Sequence, residues 1–120
     1  MKIFGFEKLN VWQKSRQLSK EIYIETKKFP DTERFGLISQ MRRCAISISS
    51  NIAEGSGRHT SKDKARFTEI AYGSALELLN QIILSNDLGF IPEEKYNYIR
   101  QSISEITAML DGLRKSQLKN

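Results

Sequence analysis

The central stretch of the chain has apolar residues three or four positions apart, at Ile38, Met41, Ala45, Ile48 and Ile52. This spacing is typical of one face of an amphipathic helix. Ile46 and Ile48 also alternate with Ser47 and Ser49, as they would in a half-buried strand. Because the helical period accounts for more of the apolar residues, the sequence predicts a helix from about Glu33 to Glu54.

Three other segments have the same period. A first helix is predicted from about Lys8 to Lys28, a third from about Ser61 to Leu88, and a fourth from Pro92 onward. Four helices of about 30 Å joined by short links favour a bundle, because consecutive helices then lie side by side. The predicted fold is all-α, an antiparallel up-and-down four-helix bundle that forms a single domain over residues 1–120.

Residues at the ends of the predicted helices suit helix termini. Asp31 or Thr32 can accept hydrogen bonds from the first free amides of the second helix, and Thr60 or Ser61 can do so for the third. Glycine is favoured where a helix ends, so Gly55 is expected to close the second helix.

The third predicted helix has more apolar surface than one bundle needs. Its two stripes are Phe67, Ala71, Ala75, Leu78 and Ile82, and Ala65, Tyr72, Leu76, Leu79 and Ile83. The second stripe either widens the core or faces a neighbouring subunit. The second helix adds a row of small residues, which let another helix approach closely. The sequence therefore favours a homo-oligomer with interface candidates Arg43, Ser47, Ser50, Glu54, Tyr72, Leu76 and Leu79.

Four further residues are predicted to have structural roles. Asn51 is expected to bond backbone groups at the turn after the second helix, near Gly55. Gly73 and Ser74 lie in the middle of the third helix. A mid-helix glycine costs about 1 kcal/mol relative to alanine, so Gly73 is expected to permit a close helix contact.

The composition is ordinary for a globular protein, with 39% hydrophobic and 28% charged residues. The single cysteine excludes an internal disulfide and fits a reducing cytoplasm. No apolar run approaches the roughly 18 residues of a membrane span, and the N-terminus does not read as a signal peptide. A cytoplasmic protein without a membrane partner is expected.

The net charge of +5 permits binding to nucleic acid or another anionic surface. Residues 1–30 carry seven Lys or Arg against three Glu, so most of the excess lies there. The candidate nucleic-acid contacts are two groups, one on a flank of the first helix and one around the second inter-helix turn: Arg16, Lys20 and Lys27, and Arg58, Lys62, Lys64 and Arg66. A solvated surface is the alternative for each group.

The sequence offers little catalytic or metal-binding chemistry. His59 and Cys44 are the only residues of their types and lie on different predicted elements, so no metal site is expected. Cys44 is interpreted as a small buried residue beside the core stripe. The stretch "EGSGRHTSK" could cradle a phosphate at the start of the third helix. Because it lacks the Gly-Lys-Ser/Thr ending of a phosphate-binding loop, a flexible turn is favoured. No paired acidic motif is present, so the sequence predicts no enzyme.

Three long stretches of the chain resemble one protein family: "FEKLNVWQKSRQLSKEIYIETKKFP", "ERFGLISQMRRCAISISSNIAEGSGR" and "RFTEIAYGSALELLNQIILSNDLGFI". They are similar to the first helix, the central signature and the third helix of the 23S rRNA intervening-sequence protein family, also called the S23 ribosomal protein family. The resemblance covers nearly the whole chain. Cys44 and Ser49 stand where the family pattern has Ala and Pro, which leaves the predicted fold unchanged.

The resemblance implies a ring-like homopentamer of up-and-down bundles with no catalytic activity and no cofactor. The family also resembles the accessory variability determinant proteins of diversity-generating retroelements, which bind nucleic acid and a reverse transcriptase. In a ring each basic group is repeated, so contacts with RNA or DNA add up. The expected function is a nucleic-acid-binding or ribonucleoprotein accessory scaffold. The alternative is an adaptor that docks a polymerase-type protein, and an enzyme with an unrecognised site is a third.

Overall fold

Four long helices account for most of the computed structural model, which describes residues 1–119. Helix α1 is Asn10–Thr26, α2 is Ser39–Ser56, α3 is Ser61–Asp87 and α4 is Glu93–Leu118. No strand is present in residues 1–119, so the prediction of an all-α chain with four helices is confirmed. Over that same range, no helix has an apolar stretch long enough to cross a membrane.

The predicted apolar stripes of all four helices meet in one core. Its fully buried members include Ile22 of α1, Ile48 of α2, Leu78 of α3 and Ile103 of α4. Burial of side chains of this size stabilises the fold by about 1.5–3 kcal/mol each. The helices are therefore held together chiefly by their apolar faces, and their polar faces are left for the surface.

Side-chain contacts pair the residues of α1 and α2 in reverse chain order. The Ser19 hydroxyl donates to the Ala45 carbonyl oxygen at 3.2 Å, whereas Arg42, earlier in α2, donates to the Thr26 hydroxyl at 3.0 Å. The same reversal holds between α2 and α3 in the pairs Ser47–Ser74 and Met41–Ser85. The link between α2 and α3 is short, residues 57–60, whereas the link between α1 and α2 spans residues 27–38.

The start of α2 differs from the sequence prediction. The chain first forms a 3-10 turn at Asp31–Glu33 and a π-helical turn at Arg34–Ile38. Gly36 interrupts the helical backbone there, with φ −108° and ψ −112°. The Glu33 carboxylate accepts the Leu37 amide at 3.2 Å and so caps the π-helical turn, in place of the predicted Asp31 or Thr32. Helix α2 itself has no side-chain cap at its N-cap residue, Ile38.

The end of α2 also differs from the prediction. Gly55 lies inside the helix, and Gly57 follows its last residue. Gly55 is buried against α3, where an added Cβ would lie 2.8 Å from the Cβ of Phe67. Gly55 is therefore a site of close helix packing rather than a helix end. The predicted cap of α3 is confirmed at Thr60, whose hydroxyl accepts the Asp63 amide at 3.1 Å.

Candidate nucleic-acid interface

Three basic side chains project from one flank of α1. Arg16, Lys20 and Lys27 are all exposed and lie within roughly 40° of one another around the helix axis. Along the axis they are separated by about 6 Å and then about 10 Å. Within residues 1–119 none of them forms a salt bridge. The first predicted group of cations is thus a row of uncompensated charges.

Arg42 of α2 joins this row across the α1–α2 contact. Its Nε donates to the Thr26 hydroxyl at 3.0 Å, and a terminal nitrogen donates to the Tyr23 carbonyl oxygen at 3.4 Å. The guanidinium carbon also lies 4.5 Å from the centre of the Tyr23 ring. We call the surface formed by Arg16, Lys20, Lys27 and Arg42 the α1–α2 basic face.

The acidic residues of α1 and α2 lie away from the α1–α2 basic face. Glu21 accepts a hydrogen bond from Lys95 of α4 at 3.3 Å, and Glu25 is buried beside Lys28. The one acidic residue of α2, Glu54, accepts a hydrogen bond from Arg58 at 2.7 Å. The basic face therefore carries only positive charge. Such a face binds a polyanion better than a partner surface of mixed charge.

Aromatic side chains border the α1–α2 basic face. The guanidinium of Arg16 lies 5.4 Å from the centre of the Trp12 ring. The guanidinium of Arg42 lies 4.5 Å from the centre of the Tyr23 ring. A shallow depression of about 310 Å³ opens next to Tyr23 and is lined by Ser19, Lys20, Tyr23 and Ile24. Cations on aromatic faces are held in place by the ring quadrupole, so both guanidinium groups are partly preorganised.

The second predicted group of cations, around the turn between α2 and α3, is largely paired. Arg58 bonds Glu54 at 2.7 Å and lies 3.9 Å from Asp63. Arg66 lies 3.8 Å from the other oxygen of Asp63. These two carboxylates compensate the arginines, so the turn is a weaker site for an anion than the α1–α2 basic face.

The two lysines of the turn group differ from each other. Lys64 donates to the Ser56 carbonyl oxygen at 3.0 Å and so ties the start of α3 to the end of α2. Lys62 is exposed and forms no salt bridge within residues 1–119. Of the four predicted turn residues, Lys62 is therefore the one whose charge is free for a ligand.

Two predicted interface residues, Ser47 and Glu54, and two residues predicted to have structural roles, Asn51 and Ser74, are engaged inside the chain. The Ser47 and Ser74 hydroxyls are 2.8 Å apart and join α2 to α3. The Asn51 side chain donates to the Ser47 carbonyl oxygen at 2.8 Å, so it bonds its own helix rather than the predicted turn. Glu54 pairs with Arg58. These bonds hold the end of α2 and its contact with α3 in place.

The other predicted interface residues divide by exposure. Tyr72 and Leu79 pack against the core, so the second stripe of α3 partly widens the core face. Leu76 is 48% exposed, and Arg43 and Ser50 are exposed on α2. Gly73 is also exposed, with no atom within 4 Å of an added Cβ, so the close contact predicted there is not made within the chain. A subunit contact of the exposed residues stays a prediction.

Cys44 and His59 are kept apart by the fold. Cys44 is buried in α2, and this burial raises the pKa of its thiol to about 11. His59 is exposed in the turn after α2. In residues 1–119 no three His, Cys, Asp or Glu side chains are grouped as metal ligands would be. The Cys44 thiol is protonated at neutral pH and is a poor nucleophile.

Known proteins are similar to this chain in sequence and in fold. The family model described as "23S rRNA-intervening sequence protein" matches residues 7–112. The chain belongs to this family. Among solved structures, a protein of unknown function from the S23 ribosomal protein family of Bacteroides thetaiotaomicron is similar, with a TM-score of 0.79 at 25% identity. The match covers 88% of this chain and 98% of that one. No curated protein matches the sequence.

The family assignment confirms the resemblance seen in the sequence. The matched residues include all of α1, α2 and α3, and therefore the whole α1–α2 basic face. Arg42 is the residue of this face that sequence reasoning did not assign to it. The sequence signal for this assignment is the adjacent pair Arg42 and Arg43. Neighbouring residues of a helix point about 100° apart, so only one of the two can face α1.

Proposed function

We propose that the chain is a non-enzymatic, nucleic-acid-binding accessory scaffold of the cytoplasm. In this proposal the four helices form an antiparallel up-and-down bundle, and five copies assemble into a ring. The observation that carries the proposal is the α1–α2 basic face, where four cations from two helices lie together without a carboxylate partner in residues 1–119.

A polyanion is the ligand that such a face favours. Most of the affinity of a protein for nucleic acid comes from cations that displace counterions from phosphates. Cations already paired with carboxylates contribute less, which is why the turn residues Arg58 and Arg66 are secondary in this proposal. A ring would repeat the face around an axis and raise the avidity for a long strand.

The proposal is tested by the salt dependence of binding to a labelled RNA oligonucleotide, followed by fluorescence anisotropy. The variant Lys20→Gln/Lys27→Gln should bind more weakly. Its plot of log K against log salt should be shallower by about 0.7–0.9 for each phosphate that the lysines no longer neutralise. The matched control is Lys115→Gln/Lys119→Gln, which removes the same charge from exposed residues near the C-terminus.

The outcome of this comparison decides between a specific face and a diffuse charge effect. Equal losses of affinity in the two double variants would show that only net charge matters, which contradicts the proposed face. A loss confined to Lys20→Gln/Lys27→Gln would support it.

A second candidate function is that of an adaptor for a polymerase-type protein such as a reverse transcriptase. The observation that favours it is an apolar surface at the end of the molecule where α2 begins and α3 ends. Phe35 is 89% exposed there, and Leu84 and Leu88 of the same end are also exposed. Capture of one such protein that is insensitive to salt and lost in Phe35→Ser, but kept in Ile24→Ser, would favour the adaptor.

A further inference from the structure

We infer that the α1–α2 basic face takes single-stranded nucleic acid in preference to a duplex, with the Tyr23 side chain as the stacking platform for one base. This inference rests on the proposed function and names its substrate class. It starts from Tyr23, which is 37% exposed at the border of this face of four cations.

Tyr23 is fixed from one side. The Arg42 guanidinium lies 4.5 Å from the centre of its ring, and Arg42 is itself anchored to the Tyr23 carbonyl oxygen and the Thr26 hydroxyl. A ring held in this way loses little conformational freedom when a ligand binds, so more of the contact energy appears as affinity. An arginine beside an aromatic ring also adds its own stacking and cation–π contact with a base.

The depression next to Tyr23 is suited to one planar group. Its volume of about 310 Å³ lies at the lower limit of ordinary small-ligand sites, roughly 300 Å³. Ile24 supplies an apolar side and Lys20 a cation at its border. A base in this depression would contact the ring and Ile24, while its phosphate could reach the Lys20 ammonium group.

The cations are placed for a backbone that passes along α1. Tyr23 lies between Lys20 and Lys27, at axial distances of about 4.5 Å and 6 Å. A flexible strand can therefore keep its phosphates on the lysines and turn a base toward the ring. In a duplex the bases are paired and stacked inside, so the ring contributes nothing and only the charges act.

The test measures binding of one mixed-sequence oligonucleotide as single-stranded RNA, single-stranded DNA and duplex, at equal salt. Tyr23→Leu should weaken single-strand binding by roughly 5- to 150-fold, because it removes the platform for one stacked base. The salt slope should not change, since the substitution leaves every charge in place. Tyr23→Phe should bind as the unaltered protein does, because the ring is retained.

The matched control is Tyr98→Leu, which removes a more accessible ring from α4, where Tyr98 is 56% exposed. Its single-strand binding should be unchanged. Single-strand binding by Tyr23→Leu that equals the unaltered protein, or an equal loss on the duplex, would overturn the inference and leave the proposed function standing. If the unaltered protein binds none of the three forms at low salt, the proposed function itself fails.

Discussion

Phe67 restricts position 55 to glycine. The Cβ of an alanine at position 55 would lie 2.8 Å from the Phe67 Cβ and 3.4 Å from the Lys64 carbonyl oxygen, both of which belong to α3. We predict that Gly55→Ala lowers the free energy of unfolding by about 1–3 kcal/mol, because the helices must move apart. Urea denaturation measures this change.

The control for this prediction is Gly112→Ala. Gly112 also lies within a helix, but no atom is within 4 Å of its added Cβ. Alanine there should raise the free energy of unfolding by about 0.5–1 kcal/mol through helix propensity. A decrease in stability of similar size in both variants would show that the contact with Phe67 is not the cause.

Cys44 makes stability depend on pH in the alkaline range. Burial raises the pKa of its thiol from 9.0 to about 11. A group whose pKa is higher in the folded state contributes stability below its unfolded pKa and loses it as the pH rises toward the folded value. We predict that the free energy of unfolding falls between about pH 9 and 11, and that this fall is smaller in Cys44→Ala.

The measurement is urea denaturation at several pH values, with the two proteins compared at each. All other ionisable groups are common to both proteins, so the difference isolates the thiol. A pH dependence that is identical in the two proteins would show that Cys44 is not the source.

At the scale of the element, the connection before α2 is capped by an unexpected residue. Glu33 accepts the Leu37 amide, whereas Asp31 is exposed and makes no such bond. We predict that Glu33→Ala lowers the free energy of unfolding by about 0.5–2 kcal/mol, the usual effect of removing a helix cap. Thermal unfolding followed by circular dichroism checks this. Asp31→Ala should have little effect, and the reverse order would refute the assignment of the cap.

The existence of the four helices could be predicted from the sequence, but two of their ends could not. The periodic apolar positions reflect burial, which a long helix repeats many times. The end of α2 depends on one contact, that of Gly55 with Phe67, and the residue-level propensity of glycine to end a helix is overridden by that packing. The break at Gly36 likewise lies beside a side chain of another turn, since a Cβ added there would be 3.0 Å from the Glu33 Oε1.

The positions of the basic residues could be predicted from the sequence, but their ion pairs could not. Sequence spacing placed Arg16, Lys20 and Lys27 on one flank, and the structure agrees. The sequence spacing could not show that Arg58 is paired with both Glu54 and Asp63, because these partners come from two different helices. Which cations are free is a property of the packed chain and not of its periodicity.

At the scale of the whole molecule, we predict a homopentamer. Light scattering should give a mass near five times the 13.8 kDa of the chain. Ser50→Trp should lower this mass, because a bulky residue on the exposed side of α2 blocks close approach of another helix. Ser116→Trp, at an exposed position near the end of α4, is the control and should leave the mass unchanged. A monomer at micromolar concentration would refute the prediction.

The position of Trp12 has a consequence for optical work on this protein. It is the single tryptophan of the chain, and its ring lies beside Arg16, with the ring of Phe6 edge-on at 5.1 Å. Tryptophan fluorescence therefore comes from one site at the border of the basic face. A ligand that draws the Arg16 guanidinium away changes the polarity around that fluorophore. Titrations can then use unlabelled nucleic acid, with the emission of Trp12 as the signal.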